Sequence, residues 1–309
     1  MDSHRSHSGV GQVFGCKESA FVGSLALEGT LTRDVVSDLA AHVRDCRDCA
    51  ACIDQLAKTV AVMGWRQPDE HAGSVRDARL GIGEWEATHE NTHHFLTDLA
   101  RAADPAHADD LVQETWASLL RDSSGAAPPS RQEAVAQLLE RLGRHDREVA
   151  VQPEIWADSL LAHHSPQGAA EEFGSVSPDD DLDESGEVMV DLDGLDTDAD
   201  KAELFLGDFY NDVSEVSRWS SAPTVWPPLR RVLPEDEAQT LELYSVVDGA
   251  LDDLSTKTGD LLNLVDLEGH TLAGAGAFLG LSPSDARRRL ALGRHHLRRR
   301  VDDYLANRN

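Results

Sequence analysis

Three side chains with metal-binding chemistry stand close together in the first fifth of the chain: His42, Cys46 and Cys49, in the spacing H-x3-C-x2-C. At about 100° per residue, offsets of 0, 4 and 7 put all three on one face of a continuous helix. An imidazole nitrogen and two thiolates need one more donor for a tetrahedral zinc cage. Cys52 follows three residues after Cys49, Cys16 is the one cysteine elsewhere, and all four cysteines lie before residue 53. Clustered thiols in a reducing compartment point to metal or redox chemistry rather than a disulfide framework. Cys16, His42, Cys46 and Cys49 are therefore the candidate zinc ligands. Cys52 is the spare, about 80° from His42 on a continuous helix, and is the candidate redox thiol beside the cage.

Other chemistries find less to work with. The chain has no P-loop, no G-x-S-x-G and no H-E-x-x-H, and His93, His94, His163 and His164 fit no ligand pattern, so no catalytic residue and no enzyme activity are expected. A net charge of −28 over 309 residues argues against a surface that coats nucleic acid throughout. No apolar run is long enough for a membrane span, and the polar start, Met1 to His7, has no apolar stretch of a signal peptide behind it. A cytoplasmic protein that does not engage the membrane is expected.

The elements that must position these residues read as helices. Aromatics are scarce at 5% while Ala and Leu dominate, so the expected fold class is all-α. After a disordered tail over 1–12, helical text runs from Val13 to about Gly64. Thr32 caps one helix with Asp34 near its N-terminus, and Val36, Leu39 and Val43 form its core face. Cys-x25-His-x3-Cys-x2-Cys in this setting resembles the zinc-associated anti-sigma domain over residues 13–64, and with the linker that follows the unit is taken as 13–75. All four ligand positions of that family are filled here.

Residues 84–165 are helical again. Leu111, Thr115, Trp116, Leu119 and Leu120 give an apolar stripe, and Asp109, Asp110, Gln113 and Glu114 a polar one. The stretch from Ala108 to Glu114 resembles region 2 of extracytoplasmic-function (ECF) sigma factors, which implies that those four polar residues face RNA polymerase core. The segment after Gln132 aligns with the family's promoter-melting helix, offering Arg141, Arg144, His145 and Arg147 to phosphates. It departs from the family at Gln137, where a Trp is usual.

Between Glu171 and Asp200 stand thirteen acidic residues and no Lys or Arg. This block belongs to an acidic, largely disordered linker over 166–234. Within it Asp181, Asp183 and Ser185 begin like a calcium loop, but Leu192 occupies the position that requires a bidentate Glu. Trp219 to Pro234 is Pro- and Trp-rich, and within it Ala222 to Pro228 reads as an extended connector and docking strip.

The last stretch, 235–305, holds a helix, a turn at Gly280 and a second helix capped by Ser282, with Pro283 in its first turn: a helix-turn-helix. From 281 to 300 there are seven Arg against one acid, Asp285. That local excess in an acidic chain is the electrostatic footprint of nucleic acid. The text resembles region 4 of ECF sigma factors. It implies Ser284, Arg287, Arg288 and Arg289 at base edges and nearby phosphates of promoter DNA, and Arg294, Arg298 and Arg299 on phosphates or polymerase. Gly274 and Gly276 replace larger residues of the family and weaken the first helix by roughly 1 kcal/mol each.

In order, the chain reads as a small zinc-binding helical domain, a region 2 bundle, an acidic linker and a region 4 helix-turn-helix. The function expected is an ECF-type sigma factor with a fused anti-sigma-like domain folding back on it in cis and one Zn2+, structural or redox-labile. The alternative is a sigma-like decoy that acts by binding another regulator.

Overall fold

Residues 47–65 form the helix on which the rest is assembled. The computed structural model describes residues 14–29, 31–65, 82–122, 129–142, 153–162, 205, 207–209, 218–233 and 236–308. Helix α3 (Arg47–Trp65) follows α1 (Cys16–Ala26) and α2 (Arg33–Asp45). Every residue of α3 from Cys49 to Gly64 is buried, the polar ones included. A helix apolar on all sides belongs at the centre of a core, and the polar residues of α3 are matched internally. Lys58 Nζ donates to Asp54 at 2.7 Å, and Thr59 Oγ1 donates to the Gln55 carbonyl at 2.8 Å.

Around α3 pack α1, α2, α4 (Ile82–Ala103), α6 (Arg131–Leu142), α7 (Pro153–Ala162) and α12 (Pro283–Arg308). Helix α5 (Ala108–Asp122) packs on α4 and α6, and α2 lies along α7. The C-terminal part comprises α8 (Leu229–Val232), α9 (Glu237–Asp252), α10 (Thr256–Leu262), a π turn over Asn263–Leu267, α11 (Leu272–Leu279) and α12. The mostly helical character expected holds. Among the described residues there is no strand, only an isolated bridge between Phe209 and Trp219, and no helix is long and apolar enough to cross a membrane. The buried apolar residues of all these parts form one continuous cluster.

The helix-turn-helix forms for the reasons its caps suggest. Thr271 accepts from the Gly274 N–H at 3.0 Å, and Ser282 Oγ accepts from the Asp285 N–H at 3.2 Å. Gly280 closes α11 at φ 65°, the left-handed conformation that glycine adopts without a Cβ clash. Gly276, expected to weaken α11, has a packing reason: a Cβ there would lie 3.1 Å from Ala286 Cβ, so the small residue lets α11 and α12 approach.

The connector expected to be extended has no regular secondary structure over 222–228, and it lies between α3 and α12. Gln55 donates to the Thr224 carbonyl and Lys58 to the Pro227 carbonyl at 3.0 Å, both from α3. On the other side Asp302 of α12 accepts from Thr224 Oγ1 at 2.9 Å and Trp226 Nε1 at 2.6 Å. The acidic block of 171–200 lies outside the described residues.

Candidate metal centre

The four ligand candidates converge, by a route that differs from the one expected. No continuous helix runs through them. His42 lies in the last turn of α2, Cys46 is an extended cap at φ −114° and ψ 99°, and Cys49 sits in the first turn of α3. The backbone stays tightly joined across the break: the Cys46 N–H donates to the His42 carbonyl at 2.8 Å and the Ala50 N–H to the Cys46 carbonyl at 3.1 Å. The turn at Cys46 re-aims three donors at a common point, and Cys16, the first residue of α1, supplies the fourth from the opposite side.

The donor atoms of Cys16, His42, Cys46 and Cys49 all lie within 4.8 Å of one another. For a four-coordinate ion with metal–sulfur bonds of about 2.3 Å, tetrahedral geometry spaces sulfurs about 3.8 Å apart. The Cys16 and Cys46 sulfurs are 3.9 Å apart, and His42 Nε2 is 3.2 Å from Cys49 Sγ. The residues fit one metal ion.

The protonation of His42, Cys46 and Cys49 is shaped by their neighbours in the cluster. Burial opposes a charged His42, yet hydrogen bonds to the Cys16 and Cys46 sulfurs outweigh it and hold the imidazole up at about 9. Hydrogen bonds from Cys16, Cys49 and His42 depress the Cys46 thiol, while Cys16 and Cys46, together with burial, push Cys49 up. A bound cation relieves this competition, because it takes the lone pairs that shared protons would hold.

Cys52 does not stand beside the cage as an accessible thiol. It is fully buried in the core face of α3, and burial pushes its thiol up to about 11. A neutral, inaccessible thiol is a poor resolving nucleophile. The redox role expected of it is not supported by its placement.

A residue against the Cys/His cluster that the spacing did not reveal is Trp219. Its indole N–H donates to Cys49 Sγ at 3.3 Å. The ring lies tilted against Phe209 with centroids 4.4 Å apart. The available signal was the Trp that opens the Pro- and Trp-containing connector.

The basic helix is the largest departure. Of the residues expected on DNA, Arg287, Arg289, Arg294 and Arg298 are buried, and Ser284 is exposed. Arg288 is half-buried and donates to Asp285 at 2.7 Å. Arg289 donates to Ser255 and Thr258, each at 3.1 Å, and to Asp285 at 3.3 Å. Arg298 donates to Gln55 Oε1 at 2.7 Å and to Asp208 at 3.3 Å, and Arg299 to Asp208 at 3.0 Å. The local positive excess is neutralised by the chain's own acids.

Arg294 is 0% exposed, and its guanidinium is shared by Asp266, Glu28 and the Ser24 carbonyl. Arg131 of α6 joins the same cluster, 3.3 Å from Glu28 and 3.9 Å from Asp266, with its guanidinium over the Phe95 ring. Two carboxylates and two guanidiniums thus meet in the core, drawn from the N-terminal, middle and C-terminal parts. Burial raises Glu28, but Arg131 and Arg294 outweigh it and hold its carboxyl below the usual range. Burial, aided by the Glu28 charge, holds Asp266 up. Nothing in the local sequence around Glu28, Arg131 or Asp266 marks them as partners.

The polar stripe of α5 stands as expected in one respect: Asp109, Asp110, Gln113 and Glu114 are all exposed. Arg141, expected on phosphates, donates to Glu114 at 3.3 Å. Leu120, assigned to the apolar stripe, is 59% exposed. Arg144, His145 and Arg147 lie outside the described residues.

Comparison of the chain with protein-family models, curated proteins and solved structures returned no match in any of the three.

Proposed function

We propose that this chain is an ECF-type sigma factor held closed by its own zinc-binding module. One observation carries this reading. The face of α12 that follows the turn is occupied by the N-terminal module: Arg294 by Ser24 and Glu28, His295 by the Ala20 carbonyl at 3.1 Å, and Arg298 by Gln55. A helix-turn-helix whose second helix spends its arginines on a Cys/His module cannot present those arginines to a duplex at the same time.

Zinc is the ion the donor set favours, because three thiolates and one imidazole in tetrahedral array exclude hard, oxygen-seeking cations. When bound, it fixes the junction of α1, α2 and α3 and so the shape of the module. The exposed face of α5 is the surface left for polymerase core.

The test is run-off transcription with core polymerase from a panel of promoters. The intact, metal-loaded chain is expected to be silent, whereas Glu28→Ala, which loosens the module's hold on Arg294, and chelation of the metal should both raise transcript yield. Deleting residues 1–75 is a harsher probe, since it removes α3 from the core of everything else. No transcript in any form favours the decoy, a reading the internally neutralised arginines of α12 also support.

A further inference from the structure

We propose that Trp219 is an outer residue of the metal centre, and that the segment carrying it links metal occupancy to the grip on the basic helix. The inference rests on the metal-site reading above and adds a component from a distant part of the chain.

An indole N–H is a donor only, and a metal-bound thiolate is an acceptor only. Trp219 Nε1 donates to Cys49 Sγ at 3.3 Å from a buried position. Asp208 stands beside Trp219: the Phe209–Trp219 bridge pairs the two neighbourhoods, and the Ser220 N–H donates to the Asp208 carbonyl at 2.8 Å. The Asp208 carboxylate in turn accepts from Arg298 and Arg299. A continuous path therefore runs from Cys49 through Trp219 and Asp208 to two arginines of α12. Phe205 extends the contact, tilted against Phe21 of α1, Phe209 and His295.

A hydrogen bond to a charged acceptor is about twice as strong as one to a neutral acceptor. Metal loading, which requires the thiolate, strengthens the Trp219 contact. By linkage the seated segment strengthens metal binding by the same factor. Asp208, held by the seated segment, keeps Arg298 and Arg299 paired.

The full-length chain is loaded with Zn2+ alone, and affinity is read by competition with a chromophoric chelator. Trp219→Phe removes the N–H donor while keeping an aromatic ring to face Phe209. Its metal affinity should fall about 10- to 100-fold, the usual effect of losing an outer-shell partner. Loaded with Co2+, the variant should show its thiolate-to-metal absorption at longer wavelength, because an unbonded thiolate gives up electron density more easily. A merely structural role would not move that band. In the wild type, chelation should speed hydrogen exchange across 218–228, a measurement that needs no variant. Wild-type affinity and an unmoved band in a folded Trp219→Phe would overturn the proposal, as would exchange in 218–228 indifferent to metal. A wild type that takes up no ion would overturn the metal reading itself, a distinguishable result.

Discussion

Glu28 shows how much a single side chain outside any motif can hold. It is fully buried between Arg131 and Arg294, two guanidiniums from parts of the chain far apart in sequence. Removing one member of such a group leaves charge uncompensated in the core. Glu28→Gln is therefore expected to lower unfolding stability by about 3–5 kcal/mol, read by urea denaturation near neutral pH. The pH dependence has a definite sign. Burial raises the Glu28 carboxyl, but the arginines outweigh it and hold it below its ordinary 4.5. Its stabilisation is present above that value and is lost as pH falls through the lower, folded-state value. The stability gap between wild type and Glu28→Gln should thus close on acidification below 4.5 and be flat above it. At this scale the ligands were legible, because Cys and His are rare and their spacing is constrained. Glu28 was not: one acid among 56 carries no signal until folding chooses its neighbours.

Among the elements, the helix-turn-helix was the most legible, since Thr271, Gly280 and Ser282 are local instructions for starting and stopping helices. Gly280 at φ 65° is the one position in this motif where backbone geometry excludes other residues. Gly280→Ala should destabilise the protein by about 1–2 kcal/mol, the cost of a Cβ in the left-handed region, measured in the same denaturation assay. What α12 touches was less legible. Its charge count pointed to nucleic acid, but a charge count does not say which acid will answer it. Here Asp285, Asp266, Glu28 and Asp208 do. The break at Cys46 was hidden for a related reason. Helical periodicity continues on both sides of it, and only the demand that four donors meet makes the chain turn there.

For the molecule as a whole, composition shifts suggested separate parts joined by linkers, and packing joins those parts through α3. The text over 57–63 reads as helical, and packing sets that helix against α1, α2, α4, α6, α7 and α12. Since the buried apolar residues form one cluster, unfolding should be a single cooperative event. Calorimetry is expected to give one transition whose van't Hoff and calorimetric enthalpies agree. Two resolved transitions would show that the parts hold separately.

The contact between α1 and α12 has a consequence for how this protein comes into being. Ser24 and Glu28 meet Arg294 across nearly the whole length of the chain. Long-range closures of this kind are slow, and a nascent chain leaves the ribosome with its N-terminus first. The Cys/His module is therefore complete while the helix it will hold has not yet been translated. Each new molecule passes through an interval in which its module stands without its partner helix. Whatever chaperone or metal supply acts on that interval acts before the closed form exists.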